Sequence, residues 1–236
     1  MPVPRGNRLL DALPAADLER LSDLVQIKPM GRGEHTTQAE TVMECVDFPI
    51  SALMSVFGLL ESGATFEIAS VGLEGFVEVD AALEARIALR SAVCSFPGET
   101  ARMSLETFQM MLQESRAFAR LVRRAARARL FVTEQNSMCN LRHSIPERLA
   151  RWLLVASERL NRRDFPVTHD ILSTILGTRR AGVSEAAALL QGSGAIEYQR
   201  GLVAIGDPQR LAAASCECYE VCNAAIEETF ANLGEG

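Results

Sequence analysis

The chain has 236 residues, 48% apolar and 23% charged, with a formal net charge of −6. That length and apolar content support two compact cores and exclude a disordered tail. No apolar run is long enough to span a membrane, and six cysteines in a chain of this size fit free thiols, so a cytoplasmic protein with no membrane partner is expected.

The N-terminal stretch MPVPRGNRLLDALP lacks the apolar segment of a secretory signal. Pro14 starts a short helix with Leu18, Leu21 and Val25 on its apolar face and Asp17 in the favourable first turn. Between residues 30 and 101 the texture turns to short β-rich runs at 52–60, 65–71 and 88–95. They are punctuated by Pro49, Gly58, Gly63, Gly72, Gly75, Pro97 and Gly98. Strands at that spacing predict a small antiparallel barrel or roll.

Charge is unevenly spread. Residues 1–114 carry 8 Lys+Arg against 17 Asp+Glu, residues 115–163 carry 12 Arg against 3 Glu, and residues 164–236 carry 4 Arg against 10 acids. A basic middle in an acidic chain fits either polyanion binding or a solvated, Arg-coated helix. Leu121, Ala125, Ala128, Val132, Gln135 and Cys139 step by four and three residues, a heptad-like seam that the arginines mostly avoid. The seam could pack on the β region of its own chain. The reading adopted is a homodimer seam, because both faces of the helix need cover and small residues at Ala125 and Ala128 would let two helices approach closely. A second helix, 144–160, starts with the capping box Ser144-Ile145-Pro146-Glu147 and buries Leu149, Trp152, Leu153 and Ala156.

Residues 167–205 carry the function. Thr168 can cap a helix bearing Ile171, Leu172, Ile175 and Leu176. Gly177 ends it, and Thr178 can cap a second helix over 179–191 that buries Val183, Ala187 and Leu190. Helix, glycine turn and amphipathic helix form a helix-turn-helix, and 195–198 and 202–205 form a hairpin wing around Gln199-Arg200-Gly201. Arg179, Arg180, Ser184 and Glu185 lie on the solvent side of the second helix near its start, where base edges are read. Thr168, His169, Thr178 and Arg200 are placed for phosphates.

The segment FPVTHDILSTILGTRRAGVSEAAALLQGSGAIEYQRGLVAIGD resembles the winged helix of the cyclic-AMP receptor protein/FNR (Crp/Fnr) family. The order of β-rich half, long helix, capped helix and winged helix matches that family along nearly the whole chain. The stretches ERLARWLL, LGTRRAGVSEAAALLQ, RGLVAI and CECY resemble a subgroup without an assigned ligand. The resemblance implies an α+β fold with three parts: a cyclic-nucleotide-binding-like β-roll (1–114), a dimerisation helix (115–140) and a winged-helix DNA-binding domain (141–236). It implies a homodimeric transcription regulator on double-stranded DNA, with RNA polymerase as a further partner.

Two departures bear on specificity and effector. Where the family has Arg-Glu and a second Arg five residues after the first, this chain has Arg180, Ala181 and Glu185, so the preferred site should differ. Cyclic-nucleotide binders carry Gly-Glu-Leu and then Arg-Ser/Thr. Here Gly75-Phe76-Val77-Glu78 and Arg90-Ser91 echo that pair with altered spacing. Glu78, Arg90 and Ser91 are therefore the candidate effector residues, with regulation expected without cyclic AMP and no cofactor implied. Cys45 alone cannot supply an iron–sulfur cluster of the family's N-terminal type. Cys216, Cys218 and Cys222 in CECYEVC could bind a soft metal or answer oxidation. Residues 216 and 218 should face different sides of a helix, however, and no neighbouring histidine completes a site, so free structural thiols are expected. His35, His143 and His169 are scattered. There is no phosphate-cradling glycine loop, G-x-S-x-G elbow or paired-carboxylate motif, so no enzyme is expected.

Overall fold

The computed structural model describes residues 5–231. Helices α1 (Arg8–Asp11) and α2 (Ala15–Ser22) lead into a roll of antiparallel strands. In chain order these are β1 (Val25–Met30), β2 (His35–Thr37), β3 (Cys45–Pro49), β4 (Leu53–Leu59), β5 (Thr65–Val71), β6 (Ser91–Phe96) and β7 (Gly98–Ser104). They form two sheets, ordered β1-β7-β3 and β2-β6-β4-β5. The run at 65–71 is strand β5, while the runs at 52–60 and 88–95 shift to β4 and β6. Val25, expected on the first helix, instead opens β1 opposite Met103, since the chain turns out of α2 at Asp23.

Behind the roll come α3 (Leu105–Glu114), α4 (Arg116–Arg142) and α5 (Ile145–Leu160). Glu147 accepts from the Ser144 backbone N–H, its arm of the capping box, and also from the Ser144 hydroxyl, and Asn161 closes α5 in the left-handed region. Then follow β8 (Asp164–Pro166), α6 (His169–Leu176), α7 (Arg180–Gly192), β9 (Ile196–Gln199), β10 (Leu202–Ile205), α8 (Pro208–Ala214) and α9 (Cys218–Phe230).

Helix α9 changes the reading of the long helix. It runs antiparallel along α4, with Gln135 donating to Cys218 near one end and Arg124 reaching the carbonyl of Ala231 near the other. Ala125, Ala128 and Val132 border the same crevice as Ile226 and Thr229. Leu121 and Ala125 share a core with Phe230 and the roll, and Cys139 lies among Cys216 and Cys218. The seam expected to face a second copy is thus covered within the chain: a helix outside the heptad segment supplies the apolar partner. Much of the basic excess of residues 115–163 is also bonded internally. Arg127 pairs with Glu228, Arg129 donates to the Ser70 carbonyl, Arg148 to that of Leu176, and Arg159 pairs with Glu74.

Leu53 and Phe96 of the roll join the core of the C-terminal half, packing with Trp152 and Phe165, and the Trp152 indole N–H donates to Glu67 at 3.2 Å. No helix among the described residues is long and apolar enough to cross a membrane.

Gly98, at the start of β7, lies against the connection between β3 and β4. A Cβ there would lie 2.4 Å from the backbone of Ser51 and Ala52. Gly98→Ala should lower stability by about 1–3 kcal/mol through overpacking, read as a shift of the urea midpoint at unchanged slope.

Candidate nucleic-acid interface

The helix-turn-helix is built from local signals. The Thr168 hydroxyl accepts from the Ile171 N–H and caps α6. Gly177 ends it at φ 58°, a backbone state that costs an ordinary L-residue roughly 1–2 kcal/mol. The position has a second demand, since a Cβ there would press on the Phe66 ring of β5 at 3.2 Å. The N-cap of α7 is Arg179, one residue later than expected for Thr178, and no side chain occupies it. The first-turn N–H groups of α7 thus keep their partial positive charge for an anion or base edge.

Helix α7 buries Val183, Ala186, Ala187 and Leu190 and leaves Arg179, Arg180, Ala181 and Glu185 in solvent. Arg180 faces Asp170 at 3.3 Å, with both side chains about two-thirds exposed. Such a pair is worth about 0–1 kcal/mol, so it opens easily for a stronger partner.

Two expected contacts have other work. The Ser184 hydroxyl lies 2.9 Å from His169 Nδ1 and 3.1 Å from the Arg180 carbonyl, so it is turned back towards α6. The His169 ring stacks on Tyr198 at 4.5 Å, and its Nε2 is buried without a hydrogen-bond partner. Burial, and then Arg180, holds the imidazole below its ordinary pKa. The Ser184 hydroxyl and His169 Nδ1 face each other and, together with Tyr198, whose hydroxyl donates to the Val167 carbonyl at 2.7 Å, fix α7 against α6 and the wing. The Thr168 hydroxyl is likewise used as a cap, and Thr178 is half-buried. Strand alternation pointed to Tyr198, but nothing in the sequence named its partner.

The wing turns on Arg200 (φ 52°) and Gly201 (φ 77°) alone, with Gln199 inside β9. Two left-handed residues make a type I′ reversal, matched to the twist of the strands, and they put the exposed Arg200 at its tip. Arg179, Arg180, Glu185, Arg200 and the capping Thr168 are therefore the exposed groups of the expected set.

A cavity of about 560 Å³ lies between the roll and α4. Glu78 and Arg90 line it together with Arg123, Arg127, Arg129 and Leu130 of α4, but Ser91 does not; its hydroxyl accepts from the Ala39 N–H. Glu78 is buried and accepts from the Thr37 hydroxyl at 2.6 Å and the Asp47 N–H at 2.9 Å. Burial, and then Asp47, pushes it up to about 7.

The cysteines also regroup. Cys216 sits in the connection before α9 and Cys218 at its first residue, so both reach the end of α4. There Cys139 and His143 join them, all four ligand atoms lying within 4.8 Å of one another, while Cys222 is outside the group. The missing histidine was signalled by its spacing of four from Cys139.

A family profile described as a Crp-like helix-turn-helix domain matches residues 147–214. Among solved structures, FixK2 of Bradyrhizobium japonicum is similar at 16% identity and TM-score 0.68, over 81% of this chain and 98% of that one. The c-di-GMP-responsive global regulator CLP of Xanthomonas campestris is similar at 17% and 0.64, over 82% and 100%. A CRP-family transcriptional regulator of Thermus thermophilus is similar at 17% and 0.66, over 81% and 99%. At these identities the likeness is one of fold. No curated protein sequence matches the chain.

The raised Glu78 carboxyl makes stability fall with pH. Its ordinary value is 4.5, so below that both folded and unfolded chains hold the proton and its contribution is complete. Between 4.5 and about 7 the unfolded chain has released a proton that the folded chain retains, and the contribution is lost as pH rises through about 7. Glu78→Gln should flatten this segment of a Tm-against-pH profile. An unchanged slope would place the titration elsewhere.

Proposed function

The chain carries a Crp-like helix-turn-helix domain on the fold of the Crp/Fnr regulators, and from that premise we propose that it regulates transcription as a homodimer reading a two-fold symmetric DNA site. The observation that carries the reading is the pair Arg179 and Arg180, exposed at the uncapped start of α7 just beyond the Gly177 turn. An arginine there can donate twice to guanine O6 and N7, worth roughly 1–3 kcal/mol of discrimination, which exceeds the Asp170 pair it replaces. Glu185 can accept from a cytosine amino group, and Arg200 at the wing tip can meet phosphate. His169, Ser184 and Tyr198 hold the reading helix.

The surface that supports a dimer is the opposite face of α4 from the one α9 covers. Leu130, Phe131, Met138 and Leu141 are exposed there, Leu141 by 83%. Two such faces packed together would set the reading helices about one DNA turn apart, roughly 34 Å. Leu130 also lines the cavity, so a ligand there would meet the dimer face directly. Apolar walls and arginines Arg90, Arg123, Arg127 and Arg129 suit an effector with an apolar body and an anionic group. The altered spacing of Glu78 and Arg90, with Ser91 outside the cavity, favours one other than cyclic AMP.

Footprinting of bound sites followed by affinity measurements tests the reading. Arg180→Ala should weaken a specific site by about 1–3 kcal/mol and scarcely affect random DNA. Equal losses on both would reduce Arg180 to a phosphate contact. Arg200→Gly, which keeps the left-handed turn, should weaken all sequences alike and lower the salt slope by about one ion. For the dimer face, Leu141→Glu should yield a folded monomer in sedimentation, and persistence of the dimer would move the interface elsewhere.

A further inference from the structure

The side-chain group at the junction of α4 and α9 has no part in reading DNA. We propose that Cys139, His143, Cys216 and Cys218 form a closed, four-coordinate zinc site that clips the end of α4 to the start of α9. The proposal stands apart from the DNA-binding reading and does not need it.

Geometry carries it. Cys139 and Cys216 place their sulfurs 3.6 Å apart, and Cys218 Sγ lies 3.6 Å from His143 Nδ1. With metal–sulfur bonds of about 2.3 Å and metal–nitrogen bonds of about 2.0–2.1 Å, the edges of a tetrahedral Cys₃His site are about 3.5–3.8 Å. Two edges are thus already at bound length. The widest separation, 4.8 Å at most, closes by about 1 Å on binding, a side-chain adjustment. Spacing does the rest: His143 is the C-cap residue of α4, its N–H bonded to the carbonyl of Cys139 four residues earlier, and Cys216 and Cys218 flank a single residue where the chain enters α9.

The surroundings are those of a ligand set. His143 Nε2 meets Glu217 Oε2 at 3.2 Å, which orients the ring so that Nδ1 faces the thiols. Gln135 Nε2 donates to Cys218 Sγ at 3.0 Å, a contact that favours a thiolate. All three cysteines are buried. Binding releases three thiol protons to solvent and leaves the site one negative charge in excess, and Arg148 and Arg151 lie close enough to act on these sulfurs. Three thiolates and an imidazole select zinc among common divalent ions, and with all four positions filled by protein the site is structural. A Cys139–Cys216 disulfide would use two of the groups and leave the orientation of His143 and Cys218 without purpose.

The test uses the full chain, produced without a histidine tag. Elemental analysis should find one zinc per chain. After zinc is stripped under reducing conditions, Co²⁺ titration should give thiolate-to-cobalt charge-transfer bands and the intense visible bands of a tetrahedral ion, saturating at one equivalent. Cys222→Ser should leave both unchanged, and Cys218→Ser should abolish the stoichiometric bands. Glu217→Gln, an exposed change that removes only the support of the imidazole, should weaken binding by about 10–100-fold in chelator competition. A reduced wild-type chain without zinc and without cobalt–thiolate bands would overturn the proposal. So would bands lost equally in Cys222→Ser, or a chain isolated with a Cys139–Cys216 disulfide that takes up no cobalt once reduced.

Discussion

Helix α9 lies back along α4, and that one contact sets the roles of most of the molecule. An amphipathic helix of 27 residues with apolar groups on more than one side is unstable alone in water. By covering Leu121, Ala125, Ala128 and Val132, α9 makes α4 part of the roll's core and leaves only the Leu130–Leu141 side for another molecule. The same contact carries Cys216 and Cys218 to Cys139 and His143. It also ties the chain's ends together: Arg8 makes paired hydrogen bonds to Glu227 at 2.7 and 2.8 Å, and its guanidinium covers the Phe230 ring at 4.2 Å.

The reading head is attached to this body by packing. Phe96 of the roll meets Trp152 and Phe165, Glu67 takes the indole N–H, and Phe66 touches the turn at Gly177. A movement of α4 or of the cavity wall in β5 therefore has a continuous path to α7 through close-packed side chains, which transmit displacement well. Within the head, the arginines that meet solvent are few, and the acids Asp170 and Glu185 stand beside them. On the DNA-binding reading proposed above, recognition by such a surface would depend on placement more than on net charge, which reconciles that reading with an acidic chain.

What could be read in the sequence was whatever is decided within a few residues. The capping box at Ser144, the left-handed stop at Gly177, the wing and the strand at 65–71 all rest on backbone preferences and period, and the structure has them where local chemistry puts them. The reading failed where the deciding partner was distant. A heptad pattern states that a strip must be covered and is silent on what covers it, so α9 and a second copy were indistinguishable. His169 and Ser184 looked like DNA contacts because both are polar and near the helix start; only the position of Tyr198, brought over by the wing, shows that they face each other. The arginines of residues 115–163 could equally be a polyanion surface or a solvated coat, because their carboxylate and carbonyl partners, some a hundred residues away, are invisible locally. Cys139 and His143 did carry a local sign, a spacing of four, but its meaning waited on residues more than seventy positions later.

The backfolded α9 has a consequence for how this chain tolerates being cut short. A product ending after the wing would retain every residue of the roll, the long helix and the reading head. It would nonetheless expose a strip of small and branched side chains along α4, with the thiol of Cys139 at its end. Such a fragment would add a second exposed apolar strip to the one at Leu130 and Leu141, and two such patches on one molecule favour open-ended association. The last helix thus limits self-assembly as much as it completes the fold.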